Sequence, residues 1–80
     1  MKVRILVSLK EGVLDTQGKA IEGSLNNNLG FEQISNVRQG KILELEIDET
    51  DKSKVEQIVD EICDKLLVNQ VIEDYKLEIL

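Results

Sequence analysis

Val37-Arg38-Gln39-Gly40-Lys41 divides the chain into two halves with the same plan. Working upstream, Phe31 to Arg38 reads as a short strand, although Ile34 and Val37 fall on opposite faces unless a bulge intervenes. Before it, Gln17, Ala20, Ile21, Ser24, Leu25, Asn28 and Leu29 recur at helical spacing. Asp15 is placed to cap that helix at Thr16, and Gly30 to end it in the left-handed conformation. Gly18 and Gly23 each cost the helix about 1 kcal/mol against alanine, which points either to a close approach by another backbone or to a mediocre helix. Residues 2–10 alternate Lys2, Arg4, Ser8, Lys10 with Val3, Ile5, Val7, Leu9, the period of a strand with one buried face.

Downstream, Gln39-Gly40 reads as a tight hairpin turn with the glycine at positive φ. Leu43, Leu45 and Ile47 then point inward, and Glu44, Glu46 and Asp48 outward. Val55, Ile58, Val59, Ile62, Cys63, Leu66 and Leu67 form the apolar stripe of a second helix. Its start is open between Thr50 and Asp51 as caps, and Ser53 with Glu56 has capping-box spacing. In the last strand Val71, Glu73, Tyr75, Leu77, Ile79 face one side and Ile72, Asp74, Lys76, Glu78, Leu80 the other.

The order β-α-β-β-α-β predicts an α+β domain of ferredoxin-like plan, with one antiparallel sheet and both helices on one face. Residues 1–80 read as a single domain, with no internal linker and no proline. The first strand is expected between the third and the fourth, setting Lys2, Arg4 and Lys10 beside Glu44, Glu46 and Asp48 on the open face, with Leu6, Ile72 and Leu80. That mixture reads as a contact surface for self-association, an expectation the length supports. At 80 residues a lone core barely offsets chain entropy of roughly 1.5 kcal/mol per ordered residue.

Composition narrows the chemistry. Of the apolar residues 28 are Val, Ile or Leu and only Phe31 and Tyr75 are aromatic, so there is no stacking platform for bases. A net charge of −6 argues against nucleic acid; residues 1–41 carry six bases and four acids, residues 42–80 four bases and twelve acids. There is no histidine, and Cys63, on an apolar stripe, reads as a buried reduced thiol. No apolar run is long enough to span a membrane and Met1-Lys2 leads straight into a strand, so the expected location is the cytoplasm. Gly12 to Gly18-Lys19 fails as a phosphate loop, because five residues separate the glycines and Ala20 stands where a hydroxyl is needed. Glu56, Asp60 and Asp64 read as a solvated helix face rather than a cation site. Arg38 and Lys41 are candidates for an anion or a partner's carboxylates.

Several stretches together resemble one family. Leu9-Lys10-Glu11-Gly12-Val13-Leu14-Asp15-Thr16-Gln17-Gly18 is similar to the opening motif of PurS, the small subunit of phosphoribosylformylglycinamidine (FGAM) synthase. Leu29-Gly30-Phe31, Val37-Arg38-Gln39-Gly40-Lys41 and Leu66-Leu67-Val68-Asn69-Gln70-Val71-Ile72-Glu73-Asp74-Tyr75 resemble its other motifs, in order and over nearly the whole chain. Thr16 and Gln70 stand where the family usually has proline. The resemblance implies a non-catalytic assembly subunit of purine biosynthesis, a homodimer or tetramer that joins a PurL-type amidating subunit and a PurQ-type glutaminase. It also implies that ATP, magnesium and glutamine are used by the complex and not bound by this chain, which carries no catalytic, cofactor or metal residues of its own. Its partner contacts are expected at Asp15, Gln17, Arg38, Lys41 and Asn69. The alternative is a small-molecule-binding regulatory domain of the ACT type, whose Gly-x-Leu loop Gly12-Val13-Leu14 resembles.

Overall fold

The computed structural model describes residues 1–80. The alternation at the N-terminus forms β1 (Lys2–Leu9), whose Val3, Ile5 and Val7 are at most 2% exposed and make the centre of the core. After a loop come α1 (Thr16–Gly23), prolonged by a wider π-type turn at Ser24–Asn28, and β2 (Gly40–Glu46). Then follow α2 (Lys52–Ile62), prolonged likewise at Cys63–Leu67, and β3 (Glu73–Ile79). The strands form an antiparallel sheet in the order β2-β1-β3, with Arg4 opposite both Glu44 and Glu78. The first strand is therefore central, as the pattern predicts.

α2 covers the sheet through Val55, Val59 and Cys63, successive residues on one helical face, which pack on Val3, Ile5, Val7 and Val68. Burial of side chains of this size is worth about 1.5–3 kcal/mol each, so tertiary packing rather than intrinsic propensity holds the helix. Asp51 is the cap, accepting from the Ser53 amide at 2.9 Å. The apolar stripe is narrower than the sequence predicts, since Leu66 is 82% exposed. The π-type turn rotates the last residues out of phase with Val55 and Val59.

Three expectations change. The second strand does not form, and the sheet has three strands. Residues 31–38 run without pairing in the sheet, through a turn and Asn36 at φ 56°. Their backbone finds partners on α1 instead: the Val37 amide donates to Glu22 at 3.0 Å. With its amide nitrogen turned toward the loop, Asn26 donates to the carbonyls of Ile34 and Phe31.

Gln39-Gly40 is consequently not a hairpin turn. Gly40 opens β2 opposite Ser8, and what excludes a side chain there is crowding, because a Cβ would lie 2.5 Å from the Val7 carbonyl oxygen. The positive φ expected there is found at Gly12, and at Gly30 where the C-terminal reading placed it.

Lys10 is not beside Asp48. An antiparallel partner runs the other way, so Lys10 lies at the opposite end of β1, its amide bonded to the Ile72 carbonyl at 2.8 Å.

Helix α1 contributes no residue to the core cluster. With the segment after it, the helix forms an arm in a molecule of 49 × 25 × 15 Å; Ile21, Leu29 and Phe31 are exposed along it, and Leu14 is exposed in the loop that leads into it.

Candidate partner-binding surface

Asp15 is 4% exposed and joins the arm to the sheet. One carboxylate oxygen caps α1 by accepting from the Gly18 amide at 2.8 Å, and the other accepts from the Gln39 amide at 2.6 Å, just before β2 begins. The Gln39 amide does most to hold its carboxyl below the usual carboxylate range, the Gly18 amide adds to it, and burial opposes both. The Arg38 guanidinium, 3.9 Å away, contributes a smaller pull in the same direction.

Arg38 is itself committed. Its Nη1 donates to the Val13 carbonyl, and its Nη2 to the carbonyls of Leu9 and Lys10, all at 3.3 Å. The guanidinium fork gathers the loop between β1 and α1 around one charge, a geometry lysine cannot reproduce. Lys41, three residues on, lies opposite Val7 near the start of β2 and is exposed at the rim of that face.

Gly18 completes the junction by proximity. A Cβ on it would lie 2.4 Å from the Val37 carbonyl oxygen and 2.7 Å from the Asp15 carboxylate. The close backbone approach that the sequence raised is therefore real at Gly18, whereas Gly23 meets nothing within 4 Å. Asp15, Gly18, Glu22 and Asn26 fall on one side of α1 and together hold residues 31–39. Sequence reading named the first two and missed Glu22 and Asn26. Their spacing from Asp15 was visible, but nothing marked the backbone of a distant segment as what they bind.

The five residues expected to meet a partner gather at one end of the sheet. Asp15, Gln17 and Lys41 line a hollow of about 440 Å³ together with Leu9, Leu14 and Glu73. Arg38 lines an adjoining hollow that shares Val13, Leu14 and Asp15. Asn69 shapes the nearby turn: its Oδ1 accepts from the Val71 amide at 3.1 Å, and its own amide donates to Glu73 at 2.8 Å. Gln17 and Lys41 are exposed on this rim, whereas Asp15 is sealed beneath it. No group of three or more Cys, Asp or Glu side chains is gathered closely enough to hold a metal ion. Cys63 is buried, and desolvation, helped by the charge of Asp60, raises its thiol above the ordinary range, the reverse of what activates a nucleophile.

A family model described as PurS, phosphoribosylformylglycinamidine (FGAM) synthase, matches residues 2–80. The chain belongs to the PurS family. The PurS subunit of FGAM synthase from Bacillus subtilis is 45% identical over 78 residues, covering 98% of this chain and 90% of that one. The solved structure of B. subtilis PurS superposes with a TM-score of 0.85 at 45% identity, covering 96% and 94% of the two chains. A chain of PurLQS from Thermotoga maritima superposes with a TM-score of 0.89 at 35% identity, covering 99% of this chain and 95% of that one. The extended arm is thus shared with solved PurS chains. This PurS-family chain departs from the usual proline at Thr16 without displacing the helix start, because Asp15 caps it. The ACT-type alternative finds no support in these matches, and no helix of the chain is long and apolar enough to cross a membrane.

Proposed function

We propose that this chain is the assembly subunit of FGAM synthase in purine biosynthesis, working in the cytoplasm. It performs no step of the reaction. It holds a PurL-type amidating subunit and a PurQ-type glutaminase together, so that ammonia released from glutamine reaches the conversion of formylglycinamide ribonucleotide to FGAM. ATP, magnesium and glutamine are then substrates and cofactors of the partners.

The observation that carries this reading is the match along 99% of the chain to a component of PurLQS, arm included. The arm gives a physical reason for it. Exposed Ile21, Leu29 and Phe31 on an element that adds nothing to the core, with Leu14 exposed in the loop before it, are surface to be covered on assembly. The same argument favours a homodimer or tetramer. On the rim, Gln17 and Lys41 are the side chains free to touch a partner, while Asp15, Arg38 and Asn69 set the shape on which they stand.

Reconstitution with the two larger subunits tests it. Omitting this chain should abolish glutamine-dependent amidation while amidation fed with free ammonia continues. Lys41→Glu should weaken assembly about tenfold, a change of about 1.4 kcal/mol, with the far-ultraviolet spectrum unchanged. Glutamine-dependent turnover that ignores the presence of this chain would refute the role.

A further inference from the structure

Cross-strand partners in a sheet share a face, and the inward column of β2 changes character at one end. Leu45 lies opposite Val3 and Leu43 opposite Ile5, but the partner of Val7 is Lys41. Helix α1 adds nothing to the core, so a hollow of about 440 Å³ remains at this end, with Val7 and Leu9 on its apolar side and Gln17, Lys41 and Glu73 in its wall. An ammonium on the core side of a sheet needs either water or a counter-charge. The chain supplies no counter-charge. Arg4, Lys19, Arg38 and Lys65 make its ion pairs, and Lys41 makes none. The two carboxylates that line the same hollow are engaged elsewhere: Asp15 accepts from the Gly18 and Gln39 amides, and Glu73 from the Asn69 amide at 2.8 Å.

The backbone around the hollow is fixed before any partner arrives. In the loop after β1 the Val13 amide donates to the Lys10 carbonyl at 3.1 Å, and the Lys10 amide to the Ile72 carbonyl at 2.8 Å. Arg38 gathers the carbonyls of Leu9, Lys10 and Val13. On the turn before β3, Asn69 collects the Ile72 and Glu73 amides on its carbonyl and the Val71 amide on its side chain. These pinned loops nevertheless expose aliphatic side chains: Leu14 is 69% exposed, Val71 82% and Ile72 37%. Singly such residues need no explanation. Three of them, from two loops that a hydrogen bond ties together, make a patch. Because the loops are already ordered, covering the patch costs little further conformational entropy.

We infer that the hollow receives one segment of a larger subunit in which an apolar side chain is flanked by a carboxylate. The apolar group enters beside Val7 and Leu9, between Leu14 and Ile72, and the carboxylate meets the Lys41 ammonium. This contact rests on the assembly role proposed above and gives its chemistry. A second copy of the chain is the poorer occupant, since an isologous contact through this rim sets Lys41 against Lys41.

A photoreactive benzophenone amino acid in place of Leu14, in the complex reconstituted with both larger subunits, tests the contact. Leu14 lies in a loop outside the core, so the replacement leaves the fold alone. Irradiation should join this chain to one segment of one larger subunit, and the cross-linked peptide should carry an aspartate or glutamate next to an apolar residue. Lys41→Met should weaken binding of that subunit about tenfold and reduce its dependence on salt, whereas Lys41→Arg should retain most of the affinity. Changing the identified carboxylate to lysine should weaken the unaltered complex and restore binding to Lys41→Glu. Cross-linking only between copies of this chain, to a segment without an acid, or to nothing in a complex that assembles overturns the inference and leaves the assembly role standing. Failure of the chain to bind either subunit overturns both.

Discussion

The one tyrosine of the chain records how tightly α2 closes on the sheet. Tyr75 lies half-buried on β3, and its hydroxyl donates to Asp60 of α2. Burial, then that hydrogen bond, then the carboxylate charge push its pKa up from 10.0 to about 12. A proton held more tightly folded than unfolded gives stability that is complete below the unfolded value of about 10 and is lost as pH climbs toward the folded one. Absorbance of tyrosinate should therefore titrate near pH 12 in the native protein and near 10 in urea. Asp60→Asn, which keeps an acceptor and removes the charge, should bring the native midpoint part of the way down. A native midpoint already at 10 would mean that α2 does not seat on β3 as described. Asp15 works in the opposite sense. Its depressed pKa gives stability that is present above the unfolded carboxylate value of about 3.9 and fades as pH falls through the folded one.

At the scale of elements, legibility follows the kind of partner each segment has. β1, β2, β3 and α2 bury one face against one another, so period two or a helical stripe wrote them into the chain. Residues 31–38 have instead the side chains of Glu22 and Asn26 as partners, and a polar side chain reaching a remote carbonyl leaves no period behind. Of the site, the Asp15 cap was readable because capping is local. The bonds from Arg38 to Leu9, Lys10 and Val13 cross 25 residues or more and were not.

The same distinction separates the two glycines of α1, which look alike in sequence. Gly23→Ala adds a methyl group to open space at φ −59° and should strengthen the helix by about 0.5–1 kcal/mol. Gly18→Ala drives a Cβ into the Val37 carbonyl oxygen and should cost the arm about 1–3 kcal/mol despite the better helix former. Since α1 lies outside the core, the readout is amide exchange rather than a global melt. Val37, Gln39 and the α1 amides should exchange faster in Gly18→Ala and no faster in Gly23→Ala, with β1 unchanged in both. Equal protection at Val37 in the two variants would remove the close approach from the account.

The whole molecule has the dimensions of a part. A compact chain of this length has a radius of gyration of about 12 Å, and this one has 16.1 Å, with only 9 of 80 residues buried. A core of seven apolar residues leaves little margin against the entropy of ordering the chain. In the self-association proposed above, association supplies what folding alone does not, and folded protein is drawn out of the unfolded pool by mass action. For a two-state dimer each tenfold dilution removes about 1.4 kcal/mol per dimer, which at this size should lower Tm by about 3–5 °C. Melts recorded over a hundredfold range of concentration should show that slope. A wild-type Tm that does not move with concentration would locate all of the stability within one chain, and the extended arm would need another reason to exist.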